Sequence, residues 1–299
     1  MEVIYSMTGY GEASAPVGAA ANLSVHVDLR SVNGRFLDAS FRLPDELRAA
    51  EPALRALLAG ALHRGKLECR VSLEAPTASP AMADIALLRP LLEAQSELLR
   101  QWPQLQPLSV AEAWRLAGLQ AAPQEAPGAL AAAAAQAARQ ALHALQQARA
   151  AEGTRLREFL LERCARLREL GQRAAELAPQ AVLRMQERFV ARFQEALDRL
   201  GGQPDAQATQ ERLLQEAAAF ALRVDVAEEI GRLQSHLQAM ESVLERGGEV
   251  GKRLDFLIQE LHREANTLGS KSTVLELSEL AVDMKVCIEQ MREQVQNLE

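Results

Sequence analysis

From Val226 onward the apolar residues recur in alternating steps of four and three, through Val226, Ile230, Leu233, Leu237, Met240 and Leu244. The same rhythm returns through Leu277, Leu280 or Ala281, Met284, Ile288, Met291, Val295 and Leu298. Such spacing gathers each set on one side of an α-helix and cannot do so on a strand, where side chains alternate every second residue. Between the two sets, Leu254, Leu257, Leu261 and Leu268 lay a third stripe on a helix bounded by Gly251 and Gly269. A helix with one apolar stripe must cover it, so this end of the chain is expected to be a C-terminal helical domain, residues 206–299. The last helix carries about three heptads of apolar positions, more than one short neighbour should cover. The expectation is therefore self-association through these seams, the alternative being that they pack on each other within one chain.

Upstream the period changes to two. Leu23, Val25, Val27 and Leu29 alternate with Ser24, His26, Asp28 and Arg30, the pattern of a half-buried strand. Asn33-Gly34 predicts a tight hairpin, because both residues tolerate positive φ, and a second strand follows through Leu37, Ala39, Phe41 and Leu43. Pro44-Asp45-Glu46 opens a helix with Leu47, Leu54, Leu57, Leu58 and Leu62 at helical spacing, and Lys66 to Glu74 alternates again. Residues 1–80 thus read as an α+β domain, a small antiparallel sheet with one helix. Residues 81–205 read as a helical middle region. The prolines at 103, 107, 123 and 127 break it into short helices, and the alanine-rich run Ala129 to Ala151 is a solvent-side or bundle helix. Arg155 to Leu177 and Val182 to Leu200 follow as separate helices, interrupted at Pro179 and ended by Gly201-Gly202.

Composition excludes several classes. No run of eighteen apolar residues occurs and the first residues lack a basic, apolar leader, so a cytoplasmic protein away from membranes is expected. Cys69, Cys164 and Cys287 are odd in number and widely spaced, which fits buried reduced thiols better than a disulfide framework or a zinc knuckle. A formal charge of -7 excludes a surface that is basic throughout, so nucleic acid would need a local basic patch.

No HExxH, P-loop, GxSxG or GxGxxG motif is present. What remains is a crowd of acids and amides on helices. Asp225, Glu228, Glu229, Arg232 and His236 stand three and four apart; Asp255, Gln259, His262 and Asn266 form a second polar stripe, flanked by Glu260 and Glu264. Solvated faces with intrahelical pairs such as Glu228 to Arg232 explain much of this. Asn266 is less expected there, since asparagine is a poor helix former and makes no ion pair. Carboxylates with a histidine suit Mg²⁺ or Mn²⁺, which can activate water and neutralise charge as a phosphodiester is cut. Lys252, Arg253, Arg263 and Lys271 offer positive charge beside these acids, and Arg30, Arg35, Arg42, Lys66 and Arg70 line the polar face of the sheet.

The wording of several segments is similar to the YicC/YloC family. The segments are Met7-Thr8-Gly9-Tyr10-Gly11, Arg30-Ser31-Val32-Asn33-Gly34-Arg35, Arg64-Gly65-Lys66 and Glu152-Gly153, then Asp225-Val226-Ala227-Glu228-Glu229-Ile230 with Ser235-His236. They continue with Gly251-Lys252-Arg253-Leu254-Asp255-Phe256, Gln259-Glu260, Arg263-Glu264-Ala265-Asn266-Thr267 and Ser270-Lys271-Ser272. The resemblance implies a divalent-metal-dependent endoribonuclease acting on single-stranded RNA, assembled as a homohexamer, with a role in small-RNA or mRNA turnover. On that reading Glu260, Glu264 and His236 are the catalytic candidates, Asp225, Glu228, Glu229 and Asp255 the metal ligands, and Lys252, Arg253, Arg263 and Lys271 the RNA contacts. The competing reading is a non-catalytic RNA-binding adaptor that delivers transcripts to other nucleases.

Overall fold

A computed structural model describes residues 2–18, 23–74, 85–120, 127–199, 225–272 and 274–299, with 211, 215, 216 and 218. The chain forms two compact units, one of residues 10–31 and 36–145, the other of residues 1–9, 32–35 and 146–299.

In the first unit, strands β1 (Gly9–Pro16), β2 (Ser24–Val32), β3 (Leu37–Arg42) and β4 (Gly65–Glu74) form a sheet in the order β1-β2-β4-β3. The α+β class expected from the pattern is present, but the sheet is not purely antiparallel. β3 and β4 run parallel, Leu37 opposite Gly65 and Arg42 opposite Arg70. The connection between them contains a 3-10 turn (Asp45–Ala50) and helix α1 (Glu51–Ala61), the crossover that parallel neighbours require. β4, which buries Leu67, Cys69 and Val71, takes an inner position, whereas β3, whose Leu37, Ala39 and Phe41 are only half-buried, takes the edge. β2 and β3 are therefore not neighbours and the Asn33-Gly34 hairpin does not form. The Asn33 amide instead donates to the backbone carbonyl of Gln296.

Helix α2 (Ile85–Gln101) precedes Pro103 and runs through Pro90, whereas α3 (Val110–Gln120) is a short helix of the kind expected between the prolines. Helix α4 (Pro127–Arg199) is one continuous helix of 73 residues where two breaks were expected. Its alanine run is not a solvent side: Ala133, Ala134, Ala137, Ala138 and Ala141 are buried in the same core as Val25, Val27, Leu29 and Leu67. Small side chains let the helix approach the sheet closely. A Cβ on Gly11 would come within 2.3 Å of the Ala141 carbonyl oxygen, which explains glycine there. Nor does Pro179 end the helix. Proline removes one backbone bond and costs about 3 kcal/mol in a helix interior. Here both Pro179 and Ala175, whose carbonyl loses its partner, are exposed to water.

The second unit packs the rest of α4 with α5 (Ala227–Arg246), α6 (Gly251–Lys271) and α7 (Leu275–Val295). α6 packs against both α5 and α7. All three apolar stripes read from the sequence enter one core within the chain, together with Leu160, Cys164, Leu167 and Leu170 of α4. The seams are thus consumed internally, because four helices rather than one short neighbour cover them. The alternative expectation, that the seams pack on one another within one chain, is the one the structure shows. The Gly201-Gly202 stop and the boundaries expected near residues 80 and 205 lie outside the described residues. Among the described residues no helix is long and apolar enough to cross a membrane.

Candidate metal-binding site on the α5–α6 hairpin

α5 ends at Gly247 and Gly248, whose φ angles of +76° and +81° turn the chain into α6. A side chain at Gly247 would also strike the Glu2 carbonyl oxygen, at 1.9 Å. The hairpin is held by Ile230, Leu233, Leu237 and Met240 on one helix and Leu254, Leu257, Leu261 and Leu268 on the other, all in the core. With these stripes fixed, some of the residues beside them, such as Glu264, are drawn into the seam between the helices, while others, such as Arg253 and Arg263, face solvent.

Three of those neighbours converge. One ring nitrogen of His236 on α5 and one carboxylate oxygen from each of Glu260 and Glu264, a helical turn apart on α6, lie within 4.8 Å of one another. Glu264 is buried, with 4% exposure, while His236 and Glu260 are half-buried. The cation nearest Glu264 among the described residues is Arg232, 3.9 Å away and already paired with Glu228. A buried carboxylate without a close hydrogen-bonded cation is costly. One imidazole nitrogen and two carboxylates are a donor set suited to a divalent ion of the Mg²⁺, Mn²⁺ or Zn²⁺ kind.

The other acids singled out in the sequence do not join this group. Glu229 is buried and pairs with Lys271, Nζ to Oε1 at 2.7 Å, and Lys271 also donates to the Asp225 carbonyl at 3.0 Å. The Asp225 carboxylate accepts from the Ala227 N–H at the start of α5. Asp255 accepts from Gln259, and Asn266 is 3.0 Å from His262 Nδ1. Lys252, Arg253 and Arg263 are exposed on α6 and make no ion pair among the described residues. Lys271, by contrast, spends its charge on Glu229.

A second convergence, unread in the sequence, lies on the open face of the sheet. Glu12 of β1 meets His26 and Asp28 of β2. Tyr10 Oη is 2.6 Å from Glu12 and 2.8 Å from Asp28; His26 is 3.1 Å from Asp28 through Nε2 and 2.8 Å from Ser14 Oγ through Nδ1. The adjacent Glu12 and Asp28 carboxylates push the Tyr10 hydroxyl pKa up, holding its proton. These groups satisfy one another and tie β1 to β2. The strand that supplies Glu12 carries no apolar alternation in its sequence, because its inward residues, Gly11, Ala13 and Ala15, are small.

Both parts of the chain match a nuclease family. Residues 4–158 match the N-terminal region of the YicC-like endoribonucleases, and residues 174–299 match their C-terminal region. The chain belongs to the YicC-like endoribonuclease family. A protein of Haemophilus influenzae described as a probable endoribonuclease YicC is 35% identical over 303 residues, covering 99% of this chain and 100% of that protein. One of Clostridioides difficile with the same description is 27% identical over 298 residues, covering 98% and 99% respectively. His236, Glu260 and Glu264 all fall within the part that matches the C-terminal region.

Proposed function

We propose that this member of an endoribonuclease family cleaves single-stranded RNA at the α5–α6 seam, using Mg²⁺ or Mn²⁺ held by His236, Glu260 and Glu264. The observation that carries the reading is the convergence of these three donors within 4.8 Å, one of them a buried carboxylate. A divalent cation there supplies activation of water and neutralisation of charge on the phosphodiester. The chain's own residues do the rest. Glu264 is held on a helix that the buried Leu261 and Leu268 anchor in the core. Arg232, beside Glu264 at 3.9 Å and half-exposed, is placed to hold a phosphate oxygen. Lys252, Arg253 and Arg263 lie on the same helix as the carboxylates and draw in the RNA backbone locally, as a chain of net charge -7 requires. The protein works in the cytoplasm on small RNAs or messenger RNA. It assembles as a homohexamer, for which Leu275, Val282 and Val286 offer an exposed apolar stripe on α7 outside the internal seams.

The test is labelled single-stranded RNA incubated with the purified protein, with EDTA and after Mn²⁺ or Mg²⁺ is restored. Cleavage that stops in EDTA and returns with the ion supports the reading; undiminished cleavage in EDTA sinks it. RNA binding without cleavage under any metal condition would favour an adaptor.

A further inference from the structure

Phe256 lies on α6 one helical turn before Glu260 and is 59% exposed. Among the described residues its ring makes no aromatic or cation contact. Residues three and four apart on a helix are neighbours, so Lys252 and Arg253 stand beside the ring on one side and Gln259 and Glu260 on the other. Arg263 continues the same flank a turn beyond Glu260. The ring is therefore a single apolar disc among charged and polar groups, with cations that have no ion-pair partner among the described residues. A second copy of the chain would call for an apolar patch, and none of these neighbours supplies one. The surroundings instead fit a ligand that is flat and apolar on one face and anionic at its edge. A nucleotide of a single strand has both properties, since every base offers a π-face and carries a phosphate beside it.

We propose that Phe256 is a base-stacking residue, seating the nucleotide next to the phosphate that faces His236, Glu260 and Glu264, while Lys252 and Arg253 take the flanking phosphate. This rests on the reading of the α5–α6 seam as the RNA site. Phe256 positions the strand and takes no part in the chemistry.

The test measures binding in EDTA, so that it stands apart from metal and cleavage. The full chain is titrated with a single-stranded RNA oligonucleotide and with an abasic one of equal length. Loss of one stacked base should weaken RNA binding of Phe256→Ala by about 5- to 150-fold, leaving the abasic oligonucleotide bound as by wild type and the salt slope unchanged. Arg253→Ala should instead lower the salt slope by about 0.7 for both ligands. Phe256→Trp should retain affinity and show fluorescence quenching by RNA beyond that of the wild type, but not by the abasic strand. Equal losses for both oligonucleotides, wild-type affinity in Phe256→Ala, or a changed mass by light scattering in that variant would each overturn the proposal. Unaltered helical circular dichroism verifies the fold. If cleavage proves independent of metal but the abasic contrast holds, the metal reading fails and the stacking assignment stands.

Discussion

Arg149 of α4 and Glu299 form an ion pair in which the guanidinium is 3% exposed and the carboxylate 13%. The same guanidinium donates to the Ser6 carbonyl at 2.6 Å, and the Glu299 carbonyl accepts from Val250 and Gly251 at the start of α6. The pair thus ties α4, the N-terminal segment and the site-bearing helix together. Removing one partner leaves a buried charge uncompensated, so Arg149→Met should lose about 3–5 kcal/mol of stability. Urea denaturation will read this directly, and a change below about 0.5 kcal/mol, the size of an ordinary surface substitution, would show that the pair is dispensable.

Glu260→Gln and Glu264→Gln keep shape and remove charge from the three-donor group. Each should lower the cleavage rate by more than about a hundredfold while leaving the melting profile near wild type, since metal-assisted chemistry is worth several kcal/mol. Glu228→Gln and Asp255→Asn, whose carboxylates bond to Arg232 and Gln259 instead, should keep the rate within about a factor of five. The reverse ranking would move the site away from His236.

Two glycines should respond in opposite directions. A Cβ on Gly153 would stand 2.0 Å from the Ile4 carbonyl oxygen, a backbone atom that cannot step aside, so Gly153→Ala should destabilise by about 1–3 kcal/mol. Gly231, exposed within α5, would meet nothing within 4 Å. Gly231→Ala should therefore stabilise by up to about 1 kcal/mol through helix propensity. Thermal unfolding of the two variants checks both signs.

Burial pushes the thiols of Cys69 and Cys164 up to about 12, and that of Cys287 also upward. All three should resist a thiol reagent at pH 8 in the native protein and react on unfolding. The folded state favours the neutral thiol. Its contribution to stability is complete below the ordinary thiol value of 9.0 and is lost as pH rises toward about 12. The urea midpoint should fall between pH 8 and pH 10.5, and fall less in a Cys69→Val, Cys164→Val variant. An equal fall in both would assign the alkaline loss to other groups.

The sequence by itself determined which residues are buried in the helical unit, because a stripe at steps of three and four has one solution: Ile230, Leu233, Leu254, Leu261, Met284 and Ile288 all lie in the core. It also determined the strands whose inward residues are large, and it put His236, Glu260 and Glu264 on the edges of their stripes. Tertiary structure alone decided what lies opposite each stripe. Periodicity says that a face must be covered but not by what, so the seams found partners in the same chain, and the alanine run found a sheet that its small side chains let it approach. Strand order was illegible for the same reason: β4 displaced β3 beside β2 because it buries more, a comparison that exists only once both strands compete for one edge. Meeting across two helices likewise depends on the register between them, which the Gly247-Gly248 turn and the core that the two helices share fix together, and no spacing within one helix encodes it.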